Sequence, residues 1–571
     1  MDKKTIIRTL EQIALHLELL GQNPFKIAAY RKAAATLEND PRSVDEMDDI
    51  YKLKGIGKST GEVIRDLLER GESTTLNELR EEVPEGLIRM LDIEGLGGKR
   101  IAKLHEALGI DSVEALKEAC EEERVSTLKG FGKKTEQNFL RAIAQLEERS
   151  GKHPRWQMER DVKRVTDVLD TIEAIERYEV TGSFRRFEEE SSDIDVITVT
   201  TDPLAVNEQL QAALPIRQLI ASGASKLSFT LDFERPVDID FRFVTSEQFA
   251  TAIHHFTGSK DHNVRMRQLA KERGEKISEY GVEKDGVVRT FETEEQFFAH
   301  FGLPWIPPTL RQNGQEIDRV NELQTLPQVE DMRADFHMHT VWSDGAHSIE
   351  EMAEACRKKG YTHAVITDHS HHLKVANGLT PERLLDQVKA IRQVNETMDD
   401  FTLFAGTEMD ILPDGTLDFE DDVLRELDWV IAAIHTNFNQ TEEEIMHRFY
   451  AAMTNPYVSC IAHPTGRLLG KRDGYPVDVR QLIDWASEYG KIVELNASPY
   501  RLDLMTEALS YAYEKRVPIA INTDAHAIDQ LDHMTLGVEY VKKAWIDKEF
   551  IVNTWTTERW IDYVKHQRKD V

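Results

Sequence analysis

Beyond residue 330, six short apolar segments follow one another: AVITDH, LFAGTEM, WVIAAIH, VSCIAHP, IVELNAS and PIAINTDAH, separated by helix-like stretches. No other feature of the chain restricts its fold as tightly. Strands that alternate with helices pair in parallel, because a right-handed crossover returns each strand beside the last, and a run of them curls into an α/β barrel. Most of these segments end in a histidine or carboxylate, and barrel chemistry gathers at the ends of the strands. The candidates are His337 and His339 in HMH, Asp344 in SDG, His369 in TDH, Glu408 in GTE, His435 in AIH, His463 in AHP, and Asp524 and His526 in DAH. A lone histidine at a strand end is usually structural. Nine imidazoles and carboxylates on seven segments of one barrel read instead as a metal centre. The mixed nitrogen and oxygen donors suit Mn²⁺ or Zn²⁺, with a carboxylate able to bridge two ions. His371 and His372, just after TDH, fit no ligand position and are expected in a solvated loop.

The first 150 residues have a helical pattern without strand-like alternation, and one element recurs in them three times: LKGIGKST at 53–60, IEGLGGKR at 93–100 and LKGFGKKT at 128–135. Two glycines one residue apart let the backbone turn sharply and present successive N–H groups at a helix start, a seat for a phosphate oxygen. The predicted seats are Gly55, Gly57 and Lys58; Gly95, Gly97 and Lys99; and Gly130, Gly132 and Lys133. A tight turn without a ligand would account for any one copy, but three with the same flanks resemble helix-hairpin-helix motifs, which hold DNA backbone without reading sequence.

From about residue 160 the texture changes. Asp193 and Asp195 stand two apart in the strand pattern DIDVITVT, so both carboxylates point to one face. Side by side they repel unless cations lie between them, which points to Mg²⁺ or Mn²⁺. Asp240, in VDID, is placed to complete the pocket. Gly182 and Ser183 open a turn upstream, followed by Arg185 and Arg186, a setting suited to triphosphate oxygens.

This pattern, GS followed by DxD and a later Asp, resembles the nucleotidyltransferase superfamily. FTGS at 256–259, with Asn263 and Arg267 on the next helix, is similar to the nucleotide-closing segment of X-family DNA polymerases. NPFKIAAYRKAAATL at 23–37 and WIPPTLR match that family at their expected stations, and Arg242 matches its switch arginine. The resemblance implies two-metal phosphoryl transfer, with Asp193 and Asp195 serving both metals and Asp240 the one that activates a 3′-hydroxyl. It further implies that Phe256, Gly258 and Ser259 pack against the sugar of a dNTP, that Asn263 meets the base edge, and that Arg267 lies along the template. Lys260 stands where the eukaryotic polymerases of that family have an acidic residue, and the resemblance implies that it adds a cation near the triphosphate. Val63 stands where the family's lyase lysine is expected, and a valine cannot form a Schiff base, although Lys58 is a possible substitute. The barrel set resembles the polymerase and histidinol phosphatase (PHP) family, with all nine of its expected ligand positions present in this chain, and the resemblance implies two or three Mn²⁺ or Zn²⁺ ions and a 3′–5′ exonuclease. Abasic-site and 3′-phosphate cleavage are left open.

The expectation is thus a multidomain chain: helix-hairpin-helix domains, a lyase-like domain at 1–80 and fingers at 81–150; an α+β nucleotidyltransferase palm at 151–245; a thumb at 246–315; a linker at 316–330; and an α/β PHP barrel, a distorted TIM-like fold, at 331–571. Its expected partners are dNTP and gapped DNA with a 5′-phosphate, and base excision repair is the setting. Composition is not that of a DNA-coating protein: residues 1–330 hold 46 Lys and Arg against 61 Asp and Glu, and the rest 25 against 41. DNA contact must therefore be local, through loops, backbone amides and ions. The longest apolar runs, such as 429–434, are strand-length and nothing spans a membrane. Three distant cysteines match no zinc or disulfide spacing, as expected of reduced cysteines in a cytoplasmic protein, and a monomer is expected. Two other readings are a metabolite phosphatase with a non-catalytic DNA-binding N-terminal half, and a nucleotidyltransferase for RNA or a small molecule.

Overall fold

A computed structural model describes residues 3–38, 50, 53–93, 95–149 and 151–568. The chain forms two compact units, Met1–Gly151 and Lys152–Val571.

The first unit is helical throughout its described residues. At each recurrent element the first glycine takes a positive φ: +128° at Gly55, +80° at Gly95 and +96° at Gly130, a region that side chains with a Cβ rarely enter. The second glycine then caps a new helix in extended conformation, Gly57 before Lys58–Arg70 and Gly97 before Gly98–Leu108. Two cores hold the helices. One contains Ile6, Leu10, Tyr30, Val63 and Ile64; the other contains Leu87, Ile101, Leu104, Leu116 and Phe139. Val63 is 1% exposed, so the position expected to carry a lyase lysine faces the core.

The second unit begins with a five-stranded sheet in the order Arg177–Val180, Asp193–Val199, Val237–Val244, Lys226–Leu231, Ile216–Ser222. Alternation sorts its two faces. Ile194, Val196, Ile239 and Phe241 pack against the helices Arg155–Leu169 and Pro203–Ala213. Ile197, Val199 and Val244 pack on the other side against the helix Phe249–Thr257. Asp193, Asp195 and Asp240 share that second parity, so they face the segment that leads into Gly258.

Helices Lys260–Glu272 and Glu294–His300 and a small three-stranded sheet follow, around a core of Met266, Phe297 and Phe298. The stretch 316–330, expected from its polarity as a linker, has helical structure of its own. Gln315–Thr325 is a 3-10 helix whose Ile317, with Leu326 just beyond, is buried in that same core, because two apolar residues in the polar run are spaced to reach it.

The barrel strands His363–Ile366, Thr402–Asp410, Trp429–Ala433, Cys460–Ile461, Ile492–Asn496 and Ile519–Asn522 pair in parallel in chain order. The segment 334–339 bonds to both ends of this sheet: Val365 and Thr367 donate to Asp335 and Met338 on one side, and His339 donates to Ala525 on the other. The sheet thereby curls round on itself. Phe336, Val365, Phe404, Trp429, Ile431 and Trp560 fill one end of the interior. The alternation that turns Phe404 and Trp429 inward carries on along the strands to Glu408 and His435 at the other end.

Candidate active sites

In the palm, Asp195 pairs directly with Asp240 across the two central parallel strands. Burial, then Asp193, then Asp240, push the Asp195 carboxyl up to about 7. An all-oxygen set in which one carboxylate is this disfavoured matches the demand of a hard divalent ion. The three carboxylates do not close to within 4.8 Å of one another. Like charges repel, and Lys226 Nζ takes Asp240 Oδ2 at 2.9 Å. Gly182 brings the turn against this cluster: it has φ +66°, and a Cβ there would stand 2.5 Å from Asp195 Oδ2. Ser183 donates to Ser191 Oγ (2.8 Å), and Arg186 Nη1 donates to Thr257 O (2.6 Å), tying the turn to the segment before Gly258.

Other predicted nucleotide residues divide. Arg242 lies 5.2 Å from the Phe256 ring centroid, and Ser259 caps the next helix by accepting from His262 N–H. Lys260 and Arg267 are exposed on that helix. Arg185 does not face a ligand. It bonds Glu179 (3.1 Å), Thr257 (2.8 Å) and Glu294 (2.8 Å), because the buried Glu294 needs cations and Arg311 alone does not saturate it. Asn263 is nearly buried and donates to His255 O (2.8 Å), so in this state its amide serves the backbone rather than a base edge.

At the barrel mouth all nine predicted positions converge. Glu408, 1% exposed, is the hub: His463 Nε2 lies 2.8 Å away, His369 Nδ1 2.9 Å, His435 Nε2 3.1 Å and His337 Nε2 3.4 Å. Asp524 meets His339 at 3.2 Å, and Asp344 meets His526 at 3.4 Å and His369 at 3.6 Å. His463 and Asp524 leave regular strand geometry at φ +26° and +53°, which turns their side chains into the mouth. Burial opposes ionisation of Glu408, yet His435, His337 and His369 hold its carboxyl well below the usual range. Three overlapping groups have ligand atoms mutually within 4.8 Å: His339, Asp344, His369 and His526; His337, His339 and Asp524; His369, Glu408 and His435. Buried His339 Nδ1 lacks a hydrogen-bond partner, and His337 Nε2 and Glu408 Oε2 stand against charged neighbours without a well-directed hydrogen bond. Orphaned imidazole nitrogens around a carboxylate fit metal ions better than they fit one another. His371 and His372 are exposed, as expected.

Sequence reasoning missed the residues that orient these ligands. Glu494 accepts from His337 Nδ1 (2.7 Å), His463 N–H (2.6 Å) and Asn522 (2.9 Å), and Asp410 accepts from His435 Nδ1 (3.1 Å). The available signal was a carboxylate inside an apolar strand, in IVELN and in TEMD.

Comparison with known proteins agrees with this geometry. A helix-hairpin-helix domain matches residues 1–73, a SAM-like helix-hairpin-helix tandem 87–144, the DNA polymerase beta thumb 252–312 and the PHP domain 335–515. A protein of Thermoanaerobacter sp. (strain X514) named as a probable phosphatase is 27% identical over 42% of this chain and 96% of its own. A DNA polymerase/3′-5′ exonuclease PolX of Bacillus subtilis (strain 168) is 51% identical over 97% of both chains. With 51% of the aligned positions identical over nearly the whole length of both chains, the chain belongs to the PolX family of X-family polymerases that carry a PHP domain.

Proposed function

We propose that the chain is a template-dependent, gap-filling repair polymerase that extends a 3′ end at the palm and removes nucleotides from 3′ ends at the barrel. The observation that carries this reading is the coexistence, in one compact unit, of an aspartate cluster beside a glycine turn and a separate imidazole cluster around Glu408. The PolX relative carries both activities in its name and spans both regions, which sets the metabolite phosphatase aside. The cytoplasmic, monomeric state and the repair role belong to the same proposal.

Asp193, Asp195 and Asp240 hold Mg²⁺ or Mn²⁺; the nine barrel residues hold Mn²⁺ or Zn²⁺. At both sites the ions supply charge that offsets the phosphate transition state and acidity that readies an oxygen nucleophile. The chain's own residues do the rest. Gly182 lets backbone approach the triphosphate where a side chain would collide with Asp195. Arg186 links that turn to Thr257, so nucleotide seated on the turn bears on the segment at Gly258–Ser259. In the barrel, Glu494 and Asp410 fix the rings of His337 and His435 through their Nδ1 atoms. The glycine hairpins hold duplex backbone on either side of a gap, including its 5′-phosphate.

The test is a one-nucleotide gap with a labelled primer, incubated with dNTP in Mg²⁺ and in Mn²⁺. Extension by one nucleotide with dNTP, and shortening of the primer without it, is expected. A chain that hydrolyses a small phosphomonoester but neither extends nor shortens the primer would contradict the proposal.

A further inference from the structure

Two loops of the barrel rim carry a cluster that the chemistry at the metal ligands does not use. One follows His463 and runs through Leu469 and Lys471; the other follows the strand Ile492–Asn496 and carries Tyr500. Leu469 N–H donates to Tyr500 O (2.8 Å), fastening the two loops together. Trp156, on the palm helix Arg155–Leu169, donates Nε1–H to Leu469 O (2.9 Å) and stacks on Tyr500, with ring centroids 5.2 Å apart and planes 18° apart. Lys471 Nζ stands 4.8 Å from the Trp156 ring centroid and 5.1 Å from that of Tyr500. The next residue, Arg501, reaches Asp524 Oδ2 at 3.6 Å. An aromatic pair with a cation therefore stands one residue from a side chain that touches a candidate metal ligand.

Gluing palm to barrel accounts for Trp156 but not for the rest. Tyr500 is 43% exposed and Lys471 is exposed, so ring surface and charge remain open to solvent beside the rim. Flat aromatic surface joined to an ammonium matches an unpaired base joined to its phosphate.

We propose that Trp156, Tyr500 and Lys471 form a stacking site for the unpaired 3′-terminal nucleotides of a DNA strand, holding them while the terminal phosphodiester enters the barrel mouth. This rests on the exonuclease reading given above. The site lies where palm and barrel meet, so a strand frayed from the template passes over it between the two.

The test uses the full chain with Mn²⁺ and compares an oligothymidylate with the p-nitrophenyl ester of thymidine 5′-phosphate, which has no second base to stack. Tyr500→Ala is expected to raise KM for the oligonucleotide about tenfold, or ~1.4 kcal/mol, with kcat within about twofold. Its preference for oligonucleotide over ester falls by the same factor. Tyr500→Phe keeps the ring and stays near wild type. Lys471→Gln raises KM and flattens its logarithmic salt dependence by about 0.7 per lost contact. Tyr450→Ala, at an equally exposed tyrosine on the helix Glu442–Thr454, leaves KM unchanged. Lys471→Gln is a surface change and carries the test even if Tyr500→Ala loosens the palm–barrel junction. An unchanged KM and salt slope in Lys471→Gln, or a Tyr500→Phe as impaired as Tyr500→Ala, overturns the site. A wild type that cleaves the ester and not the oligonucleotide overturns the exonuclease reading, and the site with it.

Discussion

Glu189 of the palm accepts from both ends of the Arg467 guanidinium of the barrel, Nη1 at 3.1 Å and Nη2 at 2.8 Å. The same guanidinium donates Nε–H to Arg501 O (2.9 Å), and Tyr540 Oη–H donates to the same Glu189 carboxylate. One cation thus joins the loop that follows the Gly182 turn to the rim loops that carry His463 and flank Asp524.

Arg467→Ala is expected to cost ~1–3 kcal/mol, since it leaves the half-buried Glu189 carboxylate with Tyr540 alone and frees two rim loops. Exonuclease activity should fall further than nucleotide incorporation, because the freed loops border the barrel ligands. Arg467→Lys should restore little, as an ammonium cannot span two carboxylate oxygens and a carbonyl in one plane. Thermal unfolding with parallel activity assays reads this out.

Glu494 is not one of the nine candidate ligands, yet it accepts from His337 Nδ1 at 2.7 Å and so sets that ring. Glu494→Gln is expected to weaken Mn²⁺ binding about 10–100-fold with little loss of fold, measured by calorimetric titration of the full chain. Unchanged affinity would mean that His337 is oriented by the barrel wall alone.

Gly182→Ala places a methyl where Asp195 Oδ2 already stands, at a φ of +66°. Incorporation should drop on the order of 10²-fold, as for any small displacement of a reacting group. Exonuclease activity should stay near wild type, and the primer assay separates the two.

Glu294 is 5% exposed between Arg311 and Arg185, which overcome its burial and hold its carboxyl down to about 2 from an ordinary 4.5. A depressed carboxylate contributes stability that is present above its unfolded pKa and lost as pH falls through its folded one. The shift corresponds to ~3 kcal/mol as an order of magnitude. Wild type should therefore exceed Glu294→Gln in thermal midpoint at neutral pH, and the gap should shrink as pH drops from about 4.5 toward about 2. A gap constant over that range would refute the ionised form.

What could be read in the chain beforehand was whatever repeats or sits at a fixed offset. Gly55, Gly95 and Gly130 announce their turns because only glycine tolerates those φ values. His369, Glu408 and His435 announce the barrel mouth because each ends an apolar run. Partners far apart in the chain were not readable. Glu494 lies 157 residues from His337, and Arg467 lies 278 from Glu189; neither offset has a local signature. Arg185 sits in the right motif for a phosphate, but the need of buried Glu294 for cations decides its place. Polarity suggested a linker at 316–330, and it is Ile317 and Leu326, two apolar side chains within it, that pack into the core with Phe297 and Phe298.

The central claim is that two independent sites on one folded chain make and break the same bond. Its most direct test compares Asp193→Ala with Asp195→Ala, as a double variant, against His339→Ala on gapped DNA. The double aspartate variant should lose extension and keep Mn²⁺-dependent shortening of the primer, and His339→Ala should do the reverse. If either variant, still folded by circular dichroism, lost both activities together, the two sites would be one.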